Sequence, residues 1–199
     1  MAEIKIFNRW DTSGIVVEDQ GLQKYISLEP IMVPKTGARY AGNRFHKSRI
    51  SIVERLINKL MIPGHKGKKH WRGSGHITGK SSHVYETVEG TFKLIEKKTG
   101  KNPVEVFVKA VENAAPREEI VSIEYGGARY PQAVECAPQR RIDITLRLMV
   151  QGAYSKSFNT KKSLISALAD EIMAAYTLST TSHAIGKKME FERQTDSSR

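Results

Sequence analysis

Residues 102–141, NPVEVFVKAVENAAPREEIVSIEYGGARYPQAVECAPQRR, change periodicity twice, and those two changes set the fold class. Asn102 is a good helix cap, and Pro103 suits the first helical position, where a missing N–H costs nothing. Val104, Phe107, Val108, Val111 and Ala115 then recur at spacings of three and four, the apolar face of a helix closed by Pro116. Residues 120–125 are rich in β-branched side chains, Gly126-Gly127 is a turn signal, and Ala133-Val134-Glu135-Cys136 can return as a second strand. This predicts a hairpin arm over about 117–137 with its tip near 126–130. Two strands alone are unstable in water, so the hairpin must lean on something else. Pro138 reopens a helical pattern, with Ile142, Leu146, Met149, Val150 and Ala153 inward and Arg140, Arg141 and Arg147 on the other side.

Working outward, Ile50, Val53, Ile57, Leu60 and Met61 predict a helix from a cap at Ser48 to the Pro63-Gly64 stop. A second helix is expected over 82–98, with Val84, Val88, Phe92 and Ile95 on one side and Thr99-Gly100 ending it. Beyond the hairpin and the fourth helix, Leu164, Ile165, Leu168, Ile172, Ala175 and Tyr176 form the stripe of a fifth. Lys161 and Lys162 fall in its expected first turn, where the helix dipole disfavours cations and a ligand phosphate would relieve the conflict. A weaker sixth helix over 182–194 turns Ile185, Met189 and Glu192 inward, and 195–199 should fray. Residues 14–18 and 24–28 read as short strands in an otherwise irregular leader. The expected fold is mainly α: a bundle of about six helices, with a protruding β-hairpin arm between helices three and four and an irregular basic N-terminal extension. Residues 1–47 form that extension, its order dependent on a partner, and 48–199 form the helical domain.

Charge is concentrated in one place. Of a net +11, residues 39–80 carry eleven Lys or Arg against Glu54 alone, leaving the rest of the chain near neutral. Residues 63–80 hold five glycines, four lysines, one arginine, three histidines and Trp71, with no acid. The glycines and Pro63 argue against helix or strand there. A merely solvated loop would mix signs, so the expected partner is a polyanion that is gripped by cations and stacked on by Trp71. Tyr125, Arg129 and Tyr130 near the hairpin tip are likewise suited to exposed bases.

Other chemistries fit poorly. Gly79-Lys80-Ser81 resembles the end of a phosphate-binding loop, but the required earlier glycine is replaced by Ser74 and no buried strand precedes it. His65, His70 and His76 match no zinc spacing and sit among cations, so no metal or other cofactor is expected. Glu118-Glu119 and Asp170-Glu171 lack the context of a catalytic pair, and Cys136 reads as a small buried side chain, so no enzyme is expected. The lone cysteine excludes an internal disulfide. No apolar run approaches the ~18 residues of a membrane span, and Glu3 and Asp11 argue against a signal peptide. A cytoplasmic protein is expected.

Ile57-Asn58-Lys59-Leu60-Met61 followed by Gly67-Lys68-Lys69 resembles the helix and Gly-Lys-Lys signature of the small-subunit ribosomal protein seven family. Asn102-Pro103, residues 110–116, Gly126-Gly127-Ala128, Ala133-Val134-Glu135 and Arg140-Arg141 resemble the same family's third helix, hairpin and fourth helix, in the same order. The Gly-Lys-Lys group lies further from Met61 than in the bacterial form, and the N-terminal extension and tail are similar to the archaeal and eukaryotic branch. The resemblance implies a structural protein that binds the three-prime major domain of small-subunit rRNA and nucleates assembly of the head. It also implies head and platform proteins as neighbours. Gly126, Gly127, Arg129 and Tyr130 would lie near exit-site tRNA and the mRNA exit path. The residues expected on rRNA are Arg39, Arg44, Lys47, Arg49, Lys66, Lys68, Lys69, His70, Trp71, Arg72, Lys80, Arg140, Arg141, Arg147, Lys161 and Lys162. Changing Lys68, Lys69 and Arg72 to Ala is expected to flatten the salt dependence of binding. The alternative is an architectural DNA-binding protein, distinguishable by competition between duplex DNA and structured RNA.

Overall fold

Asn102 does cap the helix it precedes, its Oδ1 accepting the Val104 N–H at 3.0 Å. In the computed structural model, which describes residues 4–39, 41–66, 69–70 and 80–198 (backbone alone at 65–66 and 69–70), that helix is the fourth of seven among the described residues. The order is α1 (Gln20–Gln23), α2 (Ile52–Leu60), β1 (His65–Lys66), β2 (Lys69–His70), α3 (Ser81–Thr99), α4 (Pro103–Ala114), β3 (Glu118–Tyr125), β4 (Ala128–Glu135), α5 (Pro138–Ser157), α6 (Leu164–Tyr176) and α7 (His183–Asp196). The mainly helical bundle with a hairpin arm is therefore the fold found. The short α1 shifts the hairpin to between the fourth and fifth helices. No helix among the described residues is long and apolar enough to cross a membrane.

The core forms where the apolar stripes meet. Val88, Phe92 and Ile95 of α3, Val104, Phe107 and Val111 of α4, Ile142, Leu146 and Met149 of α5, and Leu168 and Ile172 of α6 all lie in one buried cluster. α6 packs on α3, α4 and α5, so it is the hub of the bundle. Gly100 ends α3 at φ 67°, a left-handed conformation that glycine adopts without a Cβ penalty. Gly126 and Gly127 turn the hairpin at φ 60° and 82°. The register pairs Glu118 with Glu135 at the base and Tyr125 with Ala128 at the tip. The hairpin leans on α7, which packs along β3.

Residues 4–47 are largely irregular yet supply Ile6, Phe7, Trp10, Val17, Leu22 and Ile26 to the same core. The Trp10 and Phe7 rings meet Phe92 at 5.7 and 6.1 Å. Glu112 of α4 accepts the Glu18 and Asp19 N–H groups, at 2.6 and 3.1 Å, and Asn102 Nδ2 donates to the Asp11 carbonyl at 2.6 Å. Residues 14–18 and 24–28 are not strands; a single helical turn, capped by Asp19, stands between them.

Four local expectations are corrected. Ser48 does not cap α2: residues 46–49 form a 3-10 turn, and the helix begins after Ser51. The glycine-rich stretch, expected to hold neither helix nor strand, carries the β1–β2 ladder, with Lys66 opposite Lys69. α6 begins at Leu164 under a Ser163 cap, so Lys161 and Lys162 precede its first turn. In α7, Met189 is 54% exposed whereas Thr195 is buried, because the helix runs on to Asp196 and closes its last turns against the body instead of fraying.

Candidate nucleic-acid interface

α2 and α5 run side by side, and Lys47, Arg55, Lys59, Arg140 and Arg147 gather near the edge at which they meet. Arg55 and Lys59, four residues apart on α2, face Asp143 and Arg147, four apart on α5. The 3-10 turn adds Lys47. Lys47 Nζ lies 2.8 Å from Asp143 Oδ2, and Arg55 Nη2 lies 3.3 Å from Asp143 Oδ1. Arg55 is 4% exposed, and its Nη1 donates to the Tyr25 carbonyl at 3.1 Å. Burial lowers the Arg55 pKa, and Asp143 opposes that shift. Burial alone would push the Asp143 carboxyl up; Lys47, Arg55 and Lys59 outweigh it and hold the group below the usual carboxylate range. Burial lowers the Lys59 pKa as well, with Lys47, Arg147 and Arg55 repelling its charge and Asp143 attracting it.

One carboxylate therefore serves several cations, and the surplus points into a cleft of about 560 Å³. Lys47, Lys59, Arg140 and Arg147 line it, together with His46 and the exposed Phe45. Arg147 and Lys59 make no ion pair among the described residues. Such a cleft can take a phosphate between ammonium and guanidinium groups and offer an aromatic face to a base.

The predicted residues sort by geometry. Lys47, Arg140 and Arg147 converge on the cleft. Arg39, Arg44, Arg49 and Lys80 are exposed, with the Arg44 guanidinium 5.2 Å from the Phe45 ring centre. Arg140 clasps Glu119 through two bonds of 2.6 Å, which holds the base of the hairpin against α5. Arg141 turns inward instead of outward, donating to Asp19 Oδ2 at 2.8 Å and to the Pro116 carbonyl at 3.0 Å. Lys161 and Lys162 do not line the cleft; Lys162 pairs with Asp170, which also holds Lys98, so a carboxylate already meets the need for an anion there. Lys66, Lys69 and His70 lie in the β1–β2 ladder, while Lys68, Trp71 and Arg72 fall outside the described residues.

At the arm's end, Tyr125 and Tyr130 are 81% and 58% exposed. The register puts Tyr130 opposite Ile123 and Arg129 opposite Glu124, so Arg129 occupies the other face from both tyrosines and pairs with Glu124 at 3.5 Å. At the arm's base, burial and then the Glu119 carboxylate push the Cys136 thiol up to about 11, a protonated small side chain. Sequence reasoning missed Lys59, His46 and Phe45 as site residues. The four-residue spacing of Arg55 and Lys59 was a signal for Lys59; nothing local marked Phe45.

Comparisons with known proteins identify the family. The family model described as ribosomal protein S7p/S5e matches residues 22–199. Small ribosomal subunit protein uS7 of Nanoarchaeum equitans (strain Kin4-M) is 51% identical over 197 residues, covering 99% of this chain and 100% of the relative. The protein of the same name from Methanosphaera stadtmanae is 45% identical over 189 residues, 95% of each chain.

Proposed function

This chain belongs to the ribosomal protein S7p/S5e family, and from that premise we propose that it is a structural, non-enzymatic constituent of the cytoplasmic small ribosomal subunit that grips small-subunit rRNA through the α2–α5 cleft and the basic arm. The observation that carries this reading is the charge imbalance at the cleft, where among the described residues Lys59 and Arg147 make no ion pair, beside an Asp143 already engaged by Lys47 and Arg55. Bound phosphates would supply the missing anions and release counterions, the main source of affinity for a polyanion. Arg39, Arg44, Arg49 and Lys80 are exposed and would extend the cationic surface. Arg140 contributes while bracing the hairpin; Arg141 supports the fold beneath.

The finer assignment is that the three-prime major domain of the rRNA is the target and that binding there nucleates the head, beside neighbouring head and platform proteins. The hairpin arm, carrying exposed Tyr125 and Tyr130 at its end, would reach toward exit-site tRNA and the mRNA exit path. Hydroxyl-radical footprinting of that rRNA domain with the full chain tests the address: a compact protected region is expected, and uniform reactivity would overturn it. Salt titration tests the cleft. Arg147→Ala and Lys59→Met should each reduce the slope of log K against log salt by about one unit. An unchanged slope in both, or equal competition by duplex DNA, would remove the cleft from the interface.

A further inference from the structure

The opposite edge of α2 carries the opposite charge. Glu54, Ile57, Asn58 and Met61 follow the three-and-four spacing of one helix face, and they line a second cleft of about 500 Å³ between α2, α3 and residues 33–35. Glu54 is 4% exposed. Its Oε1 accepts from the Thr36 N–H at 2.9 Å and from the Thr36 hydroxyl at 2.7 Å. Its Oε2 is buried and has no hydrogen-bond partner among the described residues. A buried carboxylate oxygen without a donor is costly, and it calls for a group that completes it.

The surroundings specify the donor. Glu86 and Glu89 stand on the same lining, Glu89 already paired with Lys93 at 2.5 Å, and Lys35 at the rim makes no ion pair with Glu54. Glu54 and Glu86, with Glu89 shared with Lys93, still disfavour an RNA phosphate and attract a cation. Val33, Met61 and the Tyr85 ring give apolar surface for a side-chain stem, and a flat cation can lie on an aromatic face. An arginine fits all three demands: a permanent charge, several donors in a planar fork, and a stem that packs on apolar groups. We propose that this cleft is a docking pocket for an arginine side chain presented by a basic segment of a partner protein, with Glu54 Oε2 as its buried acceptor. In a protein of net +11, the pocket gives another basic chain an attractive place to attach while RNA holds the far edge of the same helix.

The test uses the full chain, with carboxyl-carbon NMR of the glutamates and three probe peptides, acetyl-Leu-Arg-Leu-amide and its lysine and citrulline counterparts. The arginine peptide should shift the Glu54 carboxyl resonance saturably at millimolar concentration, the lysine peptide should bind roughly fivefold more weakly, and the citrulline peptide should leave the resonance unmoved. Glu54→Gln keeps an oxygen for Thr36 but places an NH₂ donor at the orphan position. It should lose at least about tenfold in affinity with no fall in melting temperature. Glu86→Ala, on an exposed residue, gives a second check that cannot be confused with misfolding, with an expected loss of about threefold. Absence of any Glu54 shift, equal binding of citrulline, or displacement of the peptide by guanosine monophosphate would overturn the proposal. The last would identify a base, not a protein, as the occupant. None of these outcomes touches the rRNA reading, which rests on the other edge of α2.

Discussion

Lys59 shows how a side chain can serve binding at the expense of the fold. It is half-buried and repelled by Lys47, Arg55 and Arg147, and burial leads the causes that lower its pKa. Its charge therefore costs the free protein stability. Lys59→Met, which keeps the stem and removes the charge, should raise unfolding free energy by about 0.5 kcal/mol while weakening rRNA binding, as read by thermal denaturation and a binding titration. Loss of both together would mean that the charge supports the fold. Glu171 is the contrasting case. It is fully buried, bonded to Lys156 Nζ at 2.6 Å, the Ser182 hydroxyl at 2.8 Å and the Ala184 N–H at 3.2 Å, and it ties α6 to α5 and α7. Glu171→Ala should cost about 3 kcal/mol in chemical denaturation, since it strands the buried Ser182 hydroxyl and Ala184 N–H and takes from Lys156 its carboxylate, leaving it the Thr181 carbonyl.

Among the elements, the hairpin is the one whose outer half contributes little to stability. β3 and β4 are exposed from Ser122 outward, including Ile123, Tyr125 and Tyr130. The base is anchored through the Glu119–Arg140 clasp and the bond from the Cys136 N–H to the Arg117 carbonyl at 2.9 Å, and α7 packs on β3. Shortening the arm by replacing residues 122–131 with Asn-Gly should change unfolding free energy by less than about 1 kcal/mol, measured by urea denaturation. A larger loss would place a hidden packing partner on the outer arm. The strand pattern and the Gly-Gly turn made this element legible in sequence. The face each residue occupies followed only from register, which separates Arg129 from the tyrosines that flank it in sequence.

At the scale of the whole molecule, the N-terminal segment and the body act as one unit. Trp10, 4% exposed against Phe7 and Phe92, should cost about 4 kcal/mol when changed to Ala in the protein free of RNA. A segment ordered only by its partner would show no such loss. Acid is a second global test. For Asp143 and Asp19, burial pushes the carboxyl up but bound cations prevail, and for Glu119 the Arg140 bond leads, so all three fold with pKa values below normal. Groups of this sign stabilise the fold fully above their unfolded pKa and lose that contribution as pH falls through the folded one. Melting temperature should therefore decline below about pH 4, and Asp143→Asn should flatten part of that decline.

The sequence by itself determined the six longer helices, the hairpin, their order and the basic balance, because periodicity, caps and turn glycines act between residues a few positions apart. Asn102, Gly100 and Gly126-Gly127 each performed in place what their local chemistry requires. Whether a given arginine faces RNA or the interior was decided only by tertiary structure. Arg140 and Arg141 are neighbours in the chain, yet one lines the cleft and the other is buried against Asp19, 122 positions away. The same holds for α2, whose acidic and basic edges acquire different meanings only once α5 and α3 pack on either side. Charge is a property of the residue, but the company it keeps is set by distant segments that burial brings together.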